Sequence, residues 1–165
     1  MGRLAGSLVG CTMLFASLSA AAEDAARSSP DIRVQNIEVR LSQGGPVVLL
    51  KVRNKAIPVF VDALVAESIQ GALTGQKPPR PLPHDLMQTL LEALDARVSQ
   101  VVITFKGGIY YGALSVVAGK TTKIFDSRSS DAIALAIRFK ALILVSEDLL
   151  DSVGVDLTEP GMKEL

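Results

Sequence analysis

Residues 126–138 read DSRSSDAIALAIR. The stretch opens with acid, base and hydroxyl groups, then passes into six apolar residues, Ala132 to Ile137. A strand that ends in a polar turn and enters a helix would produce this order. The helix has almost no polar side, so it is expected to be buried nearly all round. Ser129 or Ser130 as N-cap, with Asp131 in the first turn, explains part of the polar cluster. It leaves Asp126 and Arg128 over. Asp126, Arg128 and Ser130 share one face if the strand continues through them. Asp131 and Arg138 share a helical face, and charges on a buried helix require partners.

Upstream, RVSQVVITF (97–105), IYYGALSVVA (109–118) and TTKIFD (121–126) read as strands separated by short glycine turns, which predicts a meander. Downstream, ALILV (141–145) predicts a strand buried on both faces, and SEDLLDSVG (146–154) a short helix. Towards the N-terminus, IRVQNIEVRL (32–41) changes apolar parity near Asn36, which predicts a single bulged strand. VVLLKVR (47–53) and AIPVFV (56–61) predict a strand pair.

Two helices are expected between these blocks. DALVAESIQGALTG (62–75) has helical spacing, in which Leu64, Ile69, Ala72 and Leu73 can form a stripe, and Gly75 is the expected stop. HDLMQTLLEALD (84–95) should turn Leu86, Leu90, Leu91 and Leu94 inward. The loop between them, GQKPPRPLP, carries four prolines, which stiffen it without regular structure. The element order is β-β-β-α-α-β-β-β-α-β-α. Strands and helices come in blocks, so the expected class is α+β, with a mixed, mostly antiparallel sheet carrying the helices.

The chain has 165 residues, 48% hydrophobic, enough for one domain core. Residues 1–22 combine an early Arg3, an apolar centre and a small-residue end, the pattern of a secretory signal peptide cut near Ala22. That implies export, to the periplasm in a bacterium. A lipoprotein anchored at Cys11 is the alternative, since LVGC resembles a lipoprotein box. No membrane span is expected in the mature chain. Residues 23–31 read as a linker, 32–153 as the domain and 154–165 as a loosely docked tail.

Formal net charge is zero, which excludes a strongly basic nucleic-acid binder. There is no Trp, and aromatic residues make up only 4%, so a stacking platform for bases is poorly supplied. From Arg27 to Lys55 six basic residues accompany two acidic ones; from Glu147 to Leu165 six acidic residues accompany one basic one. Solvated faces are the plainer explanation. The sharper one is a basic hairpin that meets phosphates or an acidic surface.

A second polar cluster, PRPLPHDL (79–86), places Arg80, His84 and Asp85 at another helix entry. His84 is the chain's one histidine, which excludes HExxH zinc sites and two-histidine acid–base schemes. Glycine-rich nucleotide loops and the GxSxG elbow are absent. Unaided, these residues lead to an exported α+β domain with two polar helix-entry clusters.

RPLPHDL (80–86) followed by FDSRSSDAIALAIR (125–138) resembles the bifunctional nuclease domain family. Its members show R-P-L-T-H-D-L and then D-A-R-P-S-D-A-I-A-L-A. The resemblance extends through residues 33–152, including VVLLKVRNKAIPVFV, ALTGQKPPRP, QVVITFKGGIYYGAL and ALILVSEDLL. Pro83 stands where the family usually has Thr, Ser129 where it has Pro, and Val65 where it often has Glu.

The resemblance implies hydrolysis of phosphodiester bonds in DNA and RNA, with nucleic acid as the partner. On that reading His84, Asp85, Asp126 and Asp131 are the expected catalytic residues. Arg80, Arg128 and Ser130 would bind phosphate. Asp85, Asp126 and Asp131 would hold Mg²⁺ or Mn²⁺, hard ions that favour oxygen ligands. Homo-oligomerisation is a further expectation. Two alternatives use the same clusters: a non-enzymatic module in which they only pin helices to the sheet, and a phosphate or anion binder at helix N-termini.

Overall fold

The computed structural model describes residues 31–157. The expected signal peptide, the cleavage site near Ala22, Cys11, all of the linker but Asp31, and the last eight residues of the tail lie outside that range. The chain forms β1 (Asp31–Arg33), β2 (Asn36–Ser42), β3 (Gly45–Val52), β4 (Lys55–Phe60), α1 (Ala63–Thr74) and α2 (Pro83–Ala93). It continues with β5 (Ala96–Lys106), β6 (Ile109–Ala118), β7 (Thr121–Arg128), α3 (Ser129–Phe139), β8 (Leu142–Ser146), α4 (Glu147–Val153) and β9 (Val155–Asp156).

The class is α+β, but the strands form two sheets rather than one, in the orders β1-β8-β5-β6-β7 and β2-β3-β4-β9. All pairings are antiparallel except β5 with β8. The parity change near Asn36 is therefore a crossing between sheets, not a bulge. Ile32 pairs with Val145 in the larger sheet, while Ile37 pairs with Leu50 in the smaller. A bulge does occur in β5, where the register shifts between Val98 and Gln100.

The core lies between the two sheets and α1 and α3. Val48, Leu50 and Ile57 of the small sheet, Val101 and Ile103 of the large one, Ile69 of α1 and Ile133 of α3 are fully buried. Each such side chain contributes about 1.5–3 kcal/mol relative to exposure. The tail begins docked: β9 pairs with β4, and Val155 and Leu157 cover Val47, Leu49 and Ala56 on the other face of the small sheet. β8 alternates instead of burying both faces, burying Ile143 and Val145 and leaving Leu142 exposed.

The charge asymmetry is matched within the chain. Arg53 pairs with Glu147 at 2.7 Å, Lys55 with Asp151 at 3.3 Å, and Asn54 donates to Asp156 at 3.0 Å. Glu38 holds Arg40 and Lys51. The acidic surface that meets the basic hairpin is largely the chain's own α4 and β9. These exposed pairs contribute little stability each.

α3 is buried as expected, and it presses on β6 at one point. A Cβ on Gly112 would stand 2.7 Å from the Cβ of Ala132 and 3.1 Å from Ser127 Oγ. Gly112→Ala should therefore destabilise the domain by about 1–3 kcal/mol in urea unfolding. Adding Ala132→Gly should recover part of the loss at this contact; no recovery would place the strain elsewhere.

Candidate functional site

α1 turns only part of its expected apolar stripe inward, and α2 turns its leucine row outward. α1 buries Val65, Ala66, Ser68 and Ile69 and leaves Leu64 and Leu73 exposed. α2 buries His84, while its Leu86 and Leu90 and the C-cap Leu94 face solvent and Leu91 is half-buried. Polar residues occupy the inward positions because α3 supplies partners for them.

The two helix-entry clusters meet there. Ser68 Oγ lies 2.9 Å from His84 Nδ1, and His84 Nε2 lies 3.1 Å from Asp131 Oδ1. Arg128 grips Asp131 with two bonds, Nε to Oδ2 at 2.8 Å and Nη2 to Oδ1 at 2.9 Å. Arg128 Nη1 also stands 3.8 Å from Asp62, the N-cap of α1.

Arg138 completes the network from below. Its side chain reaches back along α3, as helical side chains do, and donates to the Ala134 carbonyl. It then donates to Asp85 Oδ1 at 2.8 and 3.0 Å, to the Ser68 carbonyl at 3.1 Å and to Ser68 Oγ at 2.8 Å. Asp85 Oδ2 accepts the Leu82 N–H and so caps α2.

The Asp131 carboxylate can only accept, so His84 Nε2 donates to it, and Arg138 can only donate, so Ser68 Oγ accepts from Arg138. No buried side-chain N or O among the described residues is left without a partner.

At Asp131, burial pushes the carboxyl up, but hydrogen bonds from Arg128 and then His84 outweigh it and hold the group below the ordinary range. At Asp85, burial is likewise outweighed, here by Arg138 and the Leu82 amide. A carboxyl lowered in the folded state stabilises the fold above its unfolded value, about 3.9. That contribution is lost as pH falls through the lowered folded values. These two carboxyls should therefore cost the melting temperature nothing from neutrality to about pH 5 and lower it below about pH 4. Asp85→Asn with Asp131→Asn should flatten the fall; an unchanged slope would exclude these two carboxyls as its source.

Of the expected site residues, His84, Asp85, Asp131 and Arg128 are gathered by the network. Ser130 is buried in the first turn of α3. The N-cap of α3 is Arg128, with no side-chain cap bond, so neither serine caps the helix. Arg80 is exposed in the proline loop. Asp126 is exposed on edge strand β7. The expected metal set of Asp85, Asp126 and Asp131 does not converge. Two of its carboxylates are held by guanidinium groups, and no three His, Cys, Asp or Glu among the described residues are grouped to hold a metal ion.

Ser68 and Arg138 were not among the expected site residues. The available signals were a serine in the middle of an apolar helix face and an arginine closing an otherwise apolar helix. Ser68, Asp85 and Arg138 also line a cleft of about 800 Å³ between α1, the proline loop and α2.

The profile of the bifunctional nuclease domain matches residues 47–158. Two proteins of Mycobacterium tuberculosis, MT1877 of strain CDC 1551 and Rv1829 of strain H37Rv, both titled uncharacterized, are 31% identical over 137 residues. The match spans 81% of this chain and 82% of each of theirs. No helix among the described residues is long and apolar enough to cross a membrane.

Proposed function

Because the chain belongs to the bifunctional nuclease domain family, we propose that it hydrolyses phosphodiester bonds of DNA and RNA at the solvent end of the Ser68–His84–Asp131–Arg128 chain. One observation carries the reading. The two segments that resemble the family's motifs lie far apart in sequence, yet they meet at the 3.1 Å contact between His84 and Asp131.

Arg128 is the phosphate ligand in this scheme. It is exposed, and its Nη1 stands 3.8 Å from Asp62. A guanidinium fork suits a phosphodiester. Asp131 lies beside it and orients the attacking water. His84 holds Asp131 in place and is the imidazole available for proton transfer. Ser68 is too deeply buried to attack a substrate and serves to orient the ring. The carboxylates expected to hold Mg²⁺ or Mn²⁺ are apart, so no step is assigned to a metal. The signal-like residues 1–22 support action on nucleic acid outside the cytoplasm.

The burial of His84, at 4% exposed, favours a second reading, in which the network only locks three helices together. A nuclease assay on the purified protein with single-stranded DNA and RNA, with and without chelator, separates the two. Cleavage that depends on His84 supports the first. A folded, inert protein supports the second.

A further inference from the structure

Leu86 and Leu90 of α2 and the residue that ends it, Leu94, face solvent in a single row. Leu86, Leu90 and Leu94 are 55%, 54% and 73% exposed, and they are spaced four residues apart. Residues so spaced make one continuous ridge on a helix. Met87, 42% exposed, stands on the neighbouring ridge, so a groove runs between the two. The charged residues within α2, Asp85 and Glu92, lie on the opposite side. They are engaged by Arg138 and by Gln88 respectively. Nothing charged interrupts the apolar row. Large contiguous apolar patches on a folded domain mark interaction surfaces.

We propose that this face of α2 binds the same face of a second copy of the chain, with the two helices antiparallel about a two-fold axis near Leu90. Two features select a second copy. A four-residue ridge beside a four-residue groove is self-complementary: each leucine row lies in the other helix's groove, the commonest helix packing. A two-fold contact requires such a self-complementary patch.

Charge selects the antiparallel direction. Lys77 and Arg80 precede the N-terminal end of α2, and Asp95 follows its C-terminal end. All three are exposed and make no ion pair among the described residues. Antiparallel pairing brings the basic end of one helix towards the acidic end of the other. It also opposes the positive pole of each helix dipole to the negative pole of its partner. The proposal does not depend on the nuclease reading.

Sedimentation velocity on the purified protein tests it. The wild type should sediment as a dimer at micromolar concentration. Leu90→Glu places two carboxylates together at the axis and should weaken association by on the order of 100-fold or more. Its melting temperature measured as a monomer should stay near that of the wild-type domain, because Leu90 is on the surface. Ile124→Glu, on the exposed edge of β7, should leave the dimer intact. Arg80→Asp should weaken the dimer, and Arg80→Asp with Asp95→Arg should restore it. A wild type that remains monomeric would overturn the proposal, as would a Leu90→Glu protein that remains dimeric. So would a monomer that cosediments with phospholipid vesicles through this face, or a dimer broken by Ile124→Glu.

Discussion

Arg138→Met should lower the melting temperature by roughly 5–15 °C, corresponding to about 2–4 kcal/mol, somewhat less than breaking a fully buried ion pair because the Asp85 carboxylate is partly solvated. The Arg138 side chain is 5% exposed and its guanidinium holds Asp85, the backbone and hydroxyl of Ser68, and the Ala134 carbonyl. Methionine fills similar space and satisfies none of these groups. The Asp85 carboxylate then loses its counterion, and the Ser68 carbonyl loses its donor. Arg138→Lys should lose less, since the charge remains but the fork that reaches three groups does not. Asp85→Asn in the Arg138→Met background should recover stability, because it removes the stranded charge. Thermal unfolding monitored by circular dichroism checks all three. A fall of only a degree or two for Arg138→Met would mean that the network is not what ties α1, α2 and α3 together.

His84→Gln should reduce nucleic-acid cleavage by about 10²–10⁴-fold, the usual contribution of a positioned acid–base group. Glutamine can still bond to Asp131 or Ser68, so the protein should remain folded with a modestly lower melting temperature. That separation matters because His84 is buried between Ser68 and Asp131, and an alanine there would open a cavity as well as remove the imidazole. Asp126→Ala is the informative companion. The sequence pattern placed Asp126 in the site, but it lies exposed on β7, outside the network. Its substitution should leave most activity in place. If Asp126→Ala abolishes cleavage and His84→Gln does not, the reaction centre is on the strand edge and the network is structural.

The candidate site was half legible in the sequence. His84, Asp85, Arg128 and Asp131 stood out because charged groups at the entry to an apolar helix need explaining. The seven-residue spacing of Asp131 and Arg138 showed that they share a face, but not what they face. The answer depends on α1 and α2, and the orientation of α2 was misread. Leu86, Leu90 and Leu94 have the right spacing for an inward stripe, but spacing gives the existence of a stripe and not its direction. The inward face of α2 is occupied by His84 because Ser68 and Asp131 satisfy both ring nitrogens. Ser68 escaped notice for the same reason: a serine on an apolar face is ordinary until an arginine and a histidine converge on it.

The sequence by itself determined the α+β class, the order of nearly all the elements, the buried character of α3 and the membership of a family. These are properties of local periodicity, turn chemistry and motif spacing, which one stretch of chain carries alone. Only the tertiary structure decided that β1 and β2 lie in different sheets, that the basic hairpin is matched by α4 and β9, and that Ser68 and Arg138 join the helix-entry clusters in one chain of hydrogen bonds. It also decided that Asp126 stays outside that chain and that the leucine row of α2 faces outward. Each of these depends on which distant segment satisfies a given polar atom or covers a given apolar face, and pairings between distant segments are written in no single segment.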